Sequence, residues 1–248
     1  APASAIEAAR ANAHAMGLEL AAMGITVDYH PPLDLRFAGM HDVIGDRSLG
    51  SDPMQVAALG RAILEGLAAG GVAGCIKHMP GHGRAMVDSH KDMPIVHASA
   101  QELEADLAPF RSLAHAPIGM TGHLMFPVWD AENPATLSAA IIRDVIRGRI
   151  GFDGLLLTDD IDMEALGGPI PERATRAQAA GCDIVLNCWG RMDDMVGICE
   201  ALGPMSEVTA ARLDRALAAT QVAPAIGPAH AELLAKRDAL LALEGQAA

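Results

Sequence analysis

Apolar and polar positions along the chain follow two alternating rhythms. Short apolar runs at Ile25–Tyr29, Val72–Ile76, Ile118–Thr121, Gly154–Thr158 and Ile184–Leu186 have the length and composition of buried strands. Longer stretches with apolar residues at helical spacing lie between them, and this alternation is the signature of βα units around a parallel sheet. The helices carry their own punctuation. Ser51 or Asp52 caps one that has Pro53 at its first position, an apolar stripe of Val56, Leu59, Ile63, Leu64 and Leu67, and Gly70-Gly71 at its end. Ser99 and Glu102 form a capping box ahead of Leu103, Leu107 and Phe110. Ser138 precedes Ile141, Ile142, Val145 and Ile146, and Gly148 closes that helix. The Pro-rich piece Val222–Pro228 separates the last two helices.

Polar residues collect at one end of the strands. Asp34 follows the first strand, Lys77-His78 the second, Thr121 and His123 the third, Asp159-Asp160 the fourth and Asn187 the fifth. In a (β/α)₈ barrel the C-terminal strand ends carry the active site. With no internal repeat, low-complexity tract or linker, residues 1–248 read as one α/β barrel domain.

Composition narrows the function. The net charge is −13, from 18 basic and 31 acidic residues, and aromatics make up 3%. Both argue against nucleic acid or an anionic membrane surface as a partner. Cys75, Cys182, Cys188 and Cys199 show neither CxxC spacing nor the density of a disulfide scaffold, which favours a reducing, cytoplasmic setting. There is no signal-peptide core and no apolar run of membrane-spanning length. The chain begins at Ala1, already inside a helical pattern, so upstream residues are expected.

Two segments hold most of the candidate chemistry. The first is Lys77–His90, KHMPGHGRAMVDSH, a glycine-punctuated loop leaving a strand. Within it, Asp88-Ser89-His90 can form an acid/base unit, because a carboxylate near an imidazole orients it and stabilises its protonated form; such triplets also arise by chance. Lys77 and His78 suit hydrogen bonding to sugar hydroxyls, or else are a solvated lysine and a structural histidine. His78, His82, His90 and Asp88 are possible zinc ligands, but Pro80, Gly81 and Gly83 break the helix that His78-x3-His82 spacing requires, so no metal is expected.

The second segment is Thr158–Glu164. Asp159 is the first carboxylate off an apolar strand, held still and partly desolvated, as a nucleophile or charge stabiliser for an oxocarbenium-like transition state must be. Asp160, Asp162 and Glu164 suit capping of the next helix. Arg47 is either an ion-pair partner of Asp46 or a ligand donor, and His123 either lines the same cavity or is satisfied in the core.

Taken together, Pro31-Pro32-Leu33-Asp34, Ile44-Gly45-Asp46-Arg47-Ser48, Lys77-His78-Met79-Pro80-Gly81-His82-Gly83, Asp88-Ser89-His90 and Thr158-Asp159-Asp160-Ile161-Asp162-Met163 resemble the glycoside hydrolase family 3 β-N-acetylglucosaminidases of bacterial peptidoglycan recycling. The resemblance runs through most of the chain in the right order. It implies a retaining exo-acting glycosidase with Asp159 as nucleophile and His90, oriented by Asp88, as acid/base. Arg47, Lys77 and His78 would hold the terminal N-acetylglucosamine with Asp34 nearby, and His123 joins them as a candidate. It further implies no metal or organic cofactor and action on N-acetylglucosamine-containing muropeptides; a monomer is expected. The family's opening strands, with their Asp-Gln-Glu-Gly-Gly-like motif, do not appear, so the resemblance implies a barrel lacking its first two βα units. Met79 stands where the family usually has Phe, and Tyr29-His30-Pro31-Pro32 departs from the usual stretch before Leu-Asp. Two other readings are a family relative with another sugar preference or phosphate as acceptor, and a catalytically silent barrel fragment.

Overall fold

The computed structural model describes residues 3–39, 44–87, 92–218, 220 and 228–244. Among them five strands, β1 (Val27–Asp28), β2 (Ala73–Met79), β3 (Ile118–Thr121), β4 (Leu155–Asp160) and β5 (Ile184–Leu186), form one parallel sheet in chain order. The sheet is curled, the five-stranded part of a (β/α)₈ barrel. A barrel short of two βα units would retain six strands; five are described here.

The helices are α1 (Ala3–Ala22), α2 (Pro53–Ala69), α3 (Leu103–Ser112), α4 (Ile170–Ala180), α5 (Met192–Leu202), α6 (Glu207–Ala218) and α7 (Pro228–Glu244), with a π-helix at Ile141–Ile150. Their caps match the sequence. Asp52 accepts the Gln55 N–H at 2.7 Å, and Pro53 opens α2, where its missing N–H costs nothing. The Ser99–Glu102 box closes in both directions, since the Ser99 N–H reaches the Glu102 carboxylate at 2.8 Å and the Glu102 N–H reaches Ser99 Oγ at 3.3 Å. Ser138 Oγ accepts the Ile141 N–H at 3.1 Å. The stop of that helix differs from the expectation. Gly148 lies inside it, and Gly151, at φ 78°, ends it in the left-handed conformation that only glycine adopts without strain. Val222–Gly227 lie outside the described residues.

Side-chain alternation divides the sheet between two apolar layers. Ile76 and Leu156 face outward to Phe110, Val145, Ile146 and Phe152 of the helical layer, and Met79 joins them past the register irregularity that follows Ile76. Ala73, Cys75, Ile118, Met120, Leu155 and Leu157 face the barrel interior. Leu213 and Ala216 of α6 pack on that inner layer. A buried carboxylate ties the start of β5 to its surroundings: Asp183 accepts from Arg147 (2.8 Å), the Leu156 N–H (2.9 Å), Thr209 (3.1 Å) and Arg212 (3.0 Å). At the other end of the chain α7 is fastened to α1, with Lys236 on Glu7 and Arg237 on Asn12.

Candidate functional site

The site grows from the C-terminal ends of β1, β2 and β4. The loop leaving β1 carries Asp34, which is 1% exposed. β2 runs through Lys77-His78 to Met79, and the Lys77–His78 and Met79–Pro80 peptide bonds are both cis. The turn after β2 packs directly on the β1 loop. A Cβ added at Gly83 would fall 1.8 Å from the Leu35 carbonyl oxygen, so only glycine allows this approach.

Asp34 is the hub of the contact. Its Oδ2 accepts the His78 Nδ1–H at 2.7 Å, its Oδ1 accepts the His82 N–H at 2.7 Å, and the His78 N–H lies 3.2 and 3.3 Å from the two oxygens. Burial alone would raise this carboxyl; His78 leads the groups that outweigh burial and hold it below the usual carboxylate range. An ionised carboxylate only accepts, so the His78 proton in this bond sits on Nδ1. Asp34, expected near the sugar among the candidate binding residues, is buried with both carboxylate oxygens engaged by His78 and His82.

The other face of the His78 ring looks at β4. Its Nε2 lies 3.7 Å from Oδ2 of Asp159, the first carboxylate of that strand end, and Asp159 Oδ1 accepts the Asp160 N–H at 2.9 Å. Burial pushes the Asp159 carboxyl up, and the electrostatic influence of His78 leads the groups that pull it below its ordinary value, Lys77 among them. The side chain keeps 20% of its surface open, enough to meet a ligand. Lys77 is half-buried on the same strand end.

His123 is placed differently from the expectation that it holds substrate. It is fully buried, with Nδ1 at 2.8 Å from Thr136 Oγ1 and Nε2 donating to the Asp160 carbonyl oxygen at 2.9 Å. Both ring nitrogens are spent within the protein, and burial lowers its pKa and keeps the ring neutral. Thr121 Oγ1, 2.8 Å from Thr136 Oγ1, completes this support beneath the β4 end.

Asp160 and Asp162 are structural as well. Asp160 accepts the N–H groups of Asp162 and Cys188, both at 3.1 Å, which binds the ends of β4 and β5 together; Asp162 pairs with Arg191 at 2.7 Å. Arg47 ends the short 3₁₀ turn Gly45–Arg47 and is exposed, and the adjacent Ser48 Oγ donates to the Asp34 carbonyl oxygen at 3.1 Å. Asp88 and His90 lie outside the described residues. Among the described residues no three His, Cys, Asp or Glu side chains cluster as metal ligands would.

Sequence reasoning missed the stem of the loop toward residues 88–90. Arg84 Nε donates to the buried Asp106 of α3 at 2.9 Å while its guanidinium lies 4.1 Å over the Phe37 ring. An acidic residue at an otherwise apolar helix position was the available signal. His82 is 3% exposed, and burial, with His78 beside it, holds its pKa at about 4, so the ring is neutral.

Comparison with known proteins gives the family of the chain. Residues 1–221 match the glycosyl hydrolase family 3 N-terminal domain. A beta-hexosaminidase of Bordetella avium is 38% identical over 192 residues, 75% of this chain and 54% of that protein. The chain thus spans about half the length of the curated relatives it matches. Among solved structures, NagZ from Neisseria gonorrhoeae in complex with N-trifluoroacetyl-D-glucosamine superposes with a TM-score of 0.83 at 35% identity, over 96% of this chain and 71% of that one. A glycoside hydrolase family 3 beta-N-acetylglucosaminidase from Paenibacillus sp. str. FPU-7 gives 0.81 at 32% identity, over 95% and 51%. The chain belongs to glycosyl hydrolase family 3, and the strand ends carrying Asp34, His78 and Asp159 are part of its N-terminal domain.

Proposed function

We propose that this chain carries the catalytic strand ends of a retaining exo-β-N-acetylglucosaminidase, one that removes terminal N-acetylglucosamine from muropeptide fragments in cytoplasmic cell-wall recycling. The observation that carries this reading is Asp159: an ionised, part-exposed carboxylate fixed at a strand end beside Lys77 and His78. A nucleophile for glycosyl transfer needs that combination of negative charge, rigidity and access.

In this reaction an Asp159 oxygen bonds to the anomeric carbon as the glycosidic bond breaks, and the leaving oxygen takes a proton from His90, which Asp88 orients. Water then gives its proton to His90 and attacks the same carbon, which releases Asp159 and the sugar. Lys77, His78 and Arg47 hold the sugar through its hydroxyl and acetamido groups. Asp34 and His123 work from behind. The beta-hexosaminidase and beta-N-acetylglucosaminidase relatives support this choice of sugar.

A fluorinated N-acetylglucosaminide is expected to label Asp159 covalently, read by peptide mass spectrometry. Undiminished labelling of Asp159→Asn would sink the nucleophile assignment. His90→Ala should lose far more rate on substrates with poor leaving groups than on aryl glycosides with good ones; equal losses would make His90 structural. Product analysis in phosphate buffer separates hydrolysis from phosphorolysis, and absence of any turnover of a chromogenic N-acetylglucosaminide would favour the silent reading.

A further inference from the structure

We propose that Asp34 and His78 act as a positioning pair for Asp159, fixing the orientation and charge of the nucleophile from behind the sugar. The inference rests on the reading of Asp159 as nucleophile and adds a role for two groups beyond holding substrate.

Three observations carry it. Asp34 is 1% exposed and its oxygens are engaged by three N–H donors, two from His78 and one from His82, so it is held by the backbone on both sides of the turn. Because an ionised carboxylate accepts only, Asp34 fixes the His78 tautomer with hydrogen on Nδ1. That leaves Nε2 directed at Asp159, 3.7 Å from Oδ2. The chain carboxylate–imidazole–carboxylate thus runs from the β1 loop through β2 to β4, three elements that meet at this point.

The surroundings make His78 the group best placed to act on Asp159. The groups facing it are Asp34 from the β1 loop, the neutral His82 at 5.6 Å between ring centroids, the neutral His123 after β3, Asp159 on β4, and Lys77 on its own strand. Both its ring nitrogens face carboxylates. The ring stands between the two carboxylates, with Asp34 fixing its orientation; its interaction with Asp159 draws that carboxyl downward, and its edge borders Oδ2 while the other oxygen approaches the anomeric carbon. His78 exchanges no proton with the sugar in this role.

The test uses Asp34→Asn and His78→Gln in the full chain, both close in size to the native side chains, with thermal unfolding to confirm that each folds. Nitrogen-15 NMR of the histidine rings should show His78 protonated at Nδ1 in the native protein and a changed tautomer in Asp34→Asn. Covalent labelling of Asp159 by the fluorinated N-acetylglucosaminide should slow about 10–100-fold in either variant. Its acid limb should move to higher pH, because loss of the His78 interaction that draws the Asp159 carboxyl down raises its pKa and the reaction needs the ionised form. Turnover by Asp34→Asn should fall in kcat, with KM changed little. An effect on KM alone with an unmoved acid limb, or native-like labelling by folded Asp34→Asn, would overturn the pair and leave His78 a sugar contact. Absence of labelling in the native chain would instead count against the proposed function, and the NMR arm would still test the Asp34–His78 geometry.

Discussion

Asp34 accepts N–H groups from His78 and His82 while almost none of its surface meets water, so its charge is better stabilised in the folded chain than in the unfolded one. With its folded-state pKa depressed, the group contributes stability that is fully present above the ordinary carboxylate value of about 3.9, and that stability is lost as pH falls through the lower folded value. Asp34→Asn is therefore expected to cost about 2 kcal/mol near neutral pH and progressively less as the pH drops below about 4, read by urea unfolding across that range. A constant difference at every pH would show that the carboxylate's charge contributes nothing. At this scale the sequence placed polar side chains at the strand ends more reliably than it gave their depth. Asp34 and His123 sit at strand ends as the pattern places them, yet which side of the edge they occupy depends on partners distant in sequence. Thr136 and the Asp160 carbonyl use both nitrogens of His123, and two histidines use the oxygens of Asp34.

Elements were more legible than residues. Each of the five apolar runs holds a strand; the three inner ones, β2 to β4, are buried at most positions, and a strand buried on both faces reads as a short uninterrupted apolar stretch. The caps of α2 and α3 were equally readable, since capping is local chemistry. The end of the helix after Ser138 was not, because its π winding carries the chain past Gly148 to Gly151. Also hidden was the joint at Asp183, which has one carboxylate serving β4, the π-helix and α6 together. Replacing it with Ala removes one partner each from Arg147, which keeps the Phe152 and Gly154 carbonyls, and Arg212, which keeps Asp153, and leaves the Leu156 N–H without its acceptor. Asp183→Ala is expected to lower unfolding stability by about 3–5 kcal/mol, measured by chemical denaturation; a loss below about 1 kcal/mol would mean that solvent replaces the carboxylate.

For the whole molecule, the question is whether five strands suffice to hold the sugar. The curled sheet leaves apolar side chains open near both of its outer strands, with Met23 at 78% exposure on one side and Trp189 and Met192 at 68% on the other. Of the residues proposed to meet the sugar, Lys77, His78 and Asp159 lie on the inner strands β2 and β4, and Arg47 on the loop leaving the outer strand β1. The 248-residue chain is therefore expected to bind N-acetylglucosamine. At about 100 times the Kd, the free sugar should stabilise it by about 2.7 kcal/mol and raise its melting temperature by roughly 5–10 °C, and Lys77→Met should lose most of that shift. No shift in the native chain would place the decisive sugar contacts on parts of the barrel other than these strands.

Strand order that copies chain order also sets a timetable. Each βα unit pairs with the one made just before it, so the sheet can grow from its first strand as the polypeptide leaves the ribosome. Asp34 and His78 are both synthesised by the time β2 docks, long before Asp159 exists. The cradle is built before the nucleophile it is proposed to hold, and β4 completes the site by arriving beside partners already locked in place.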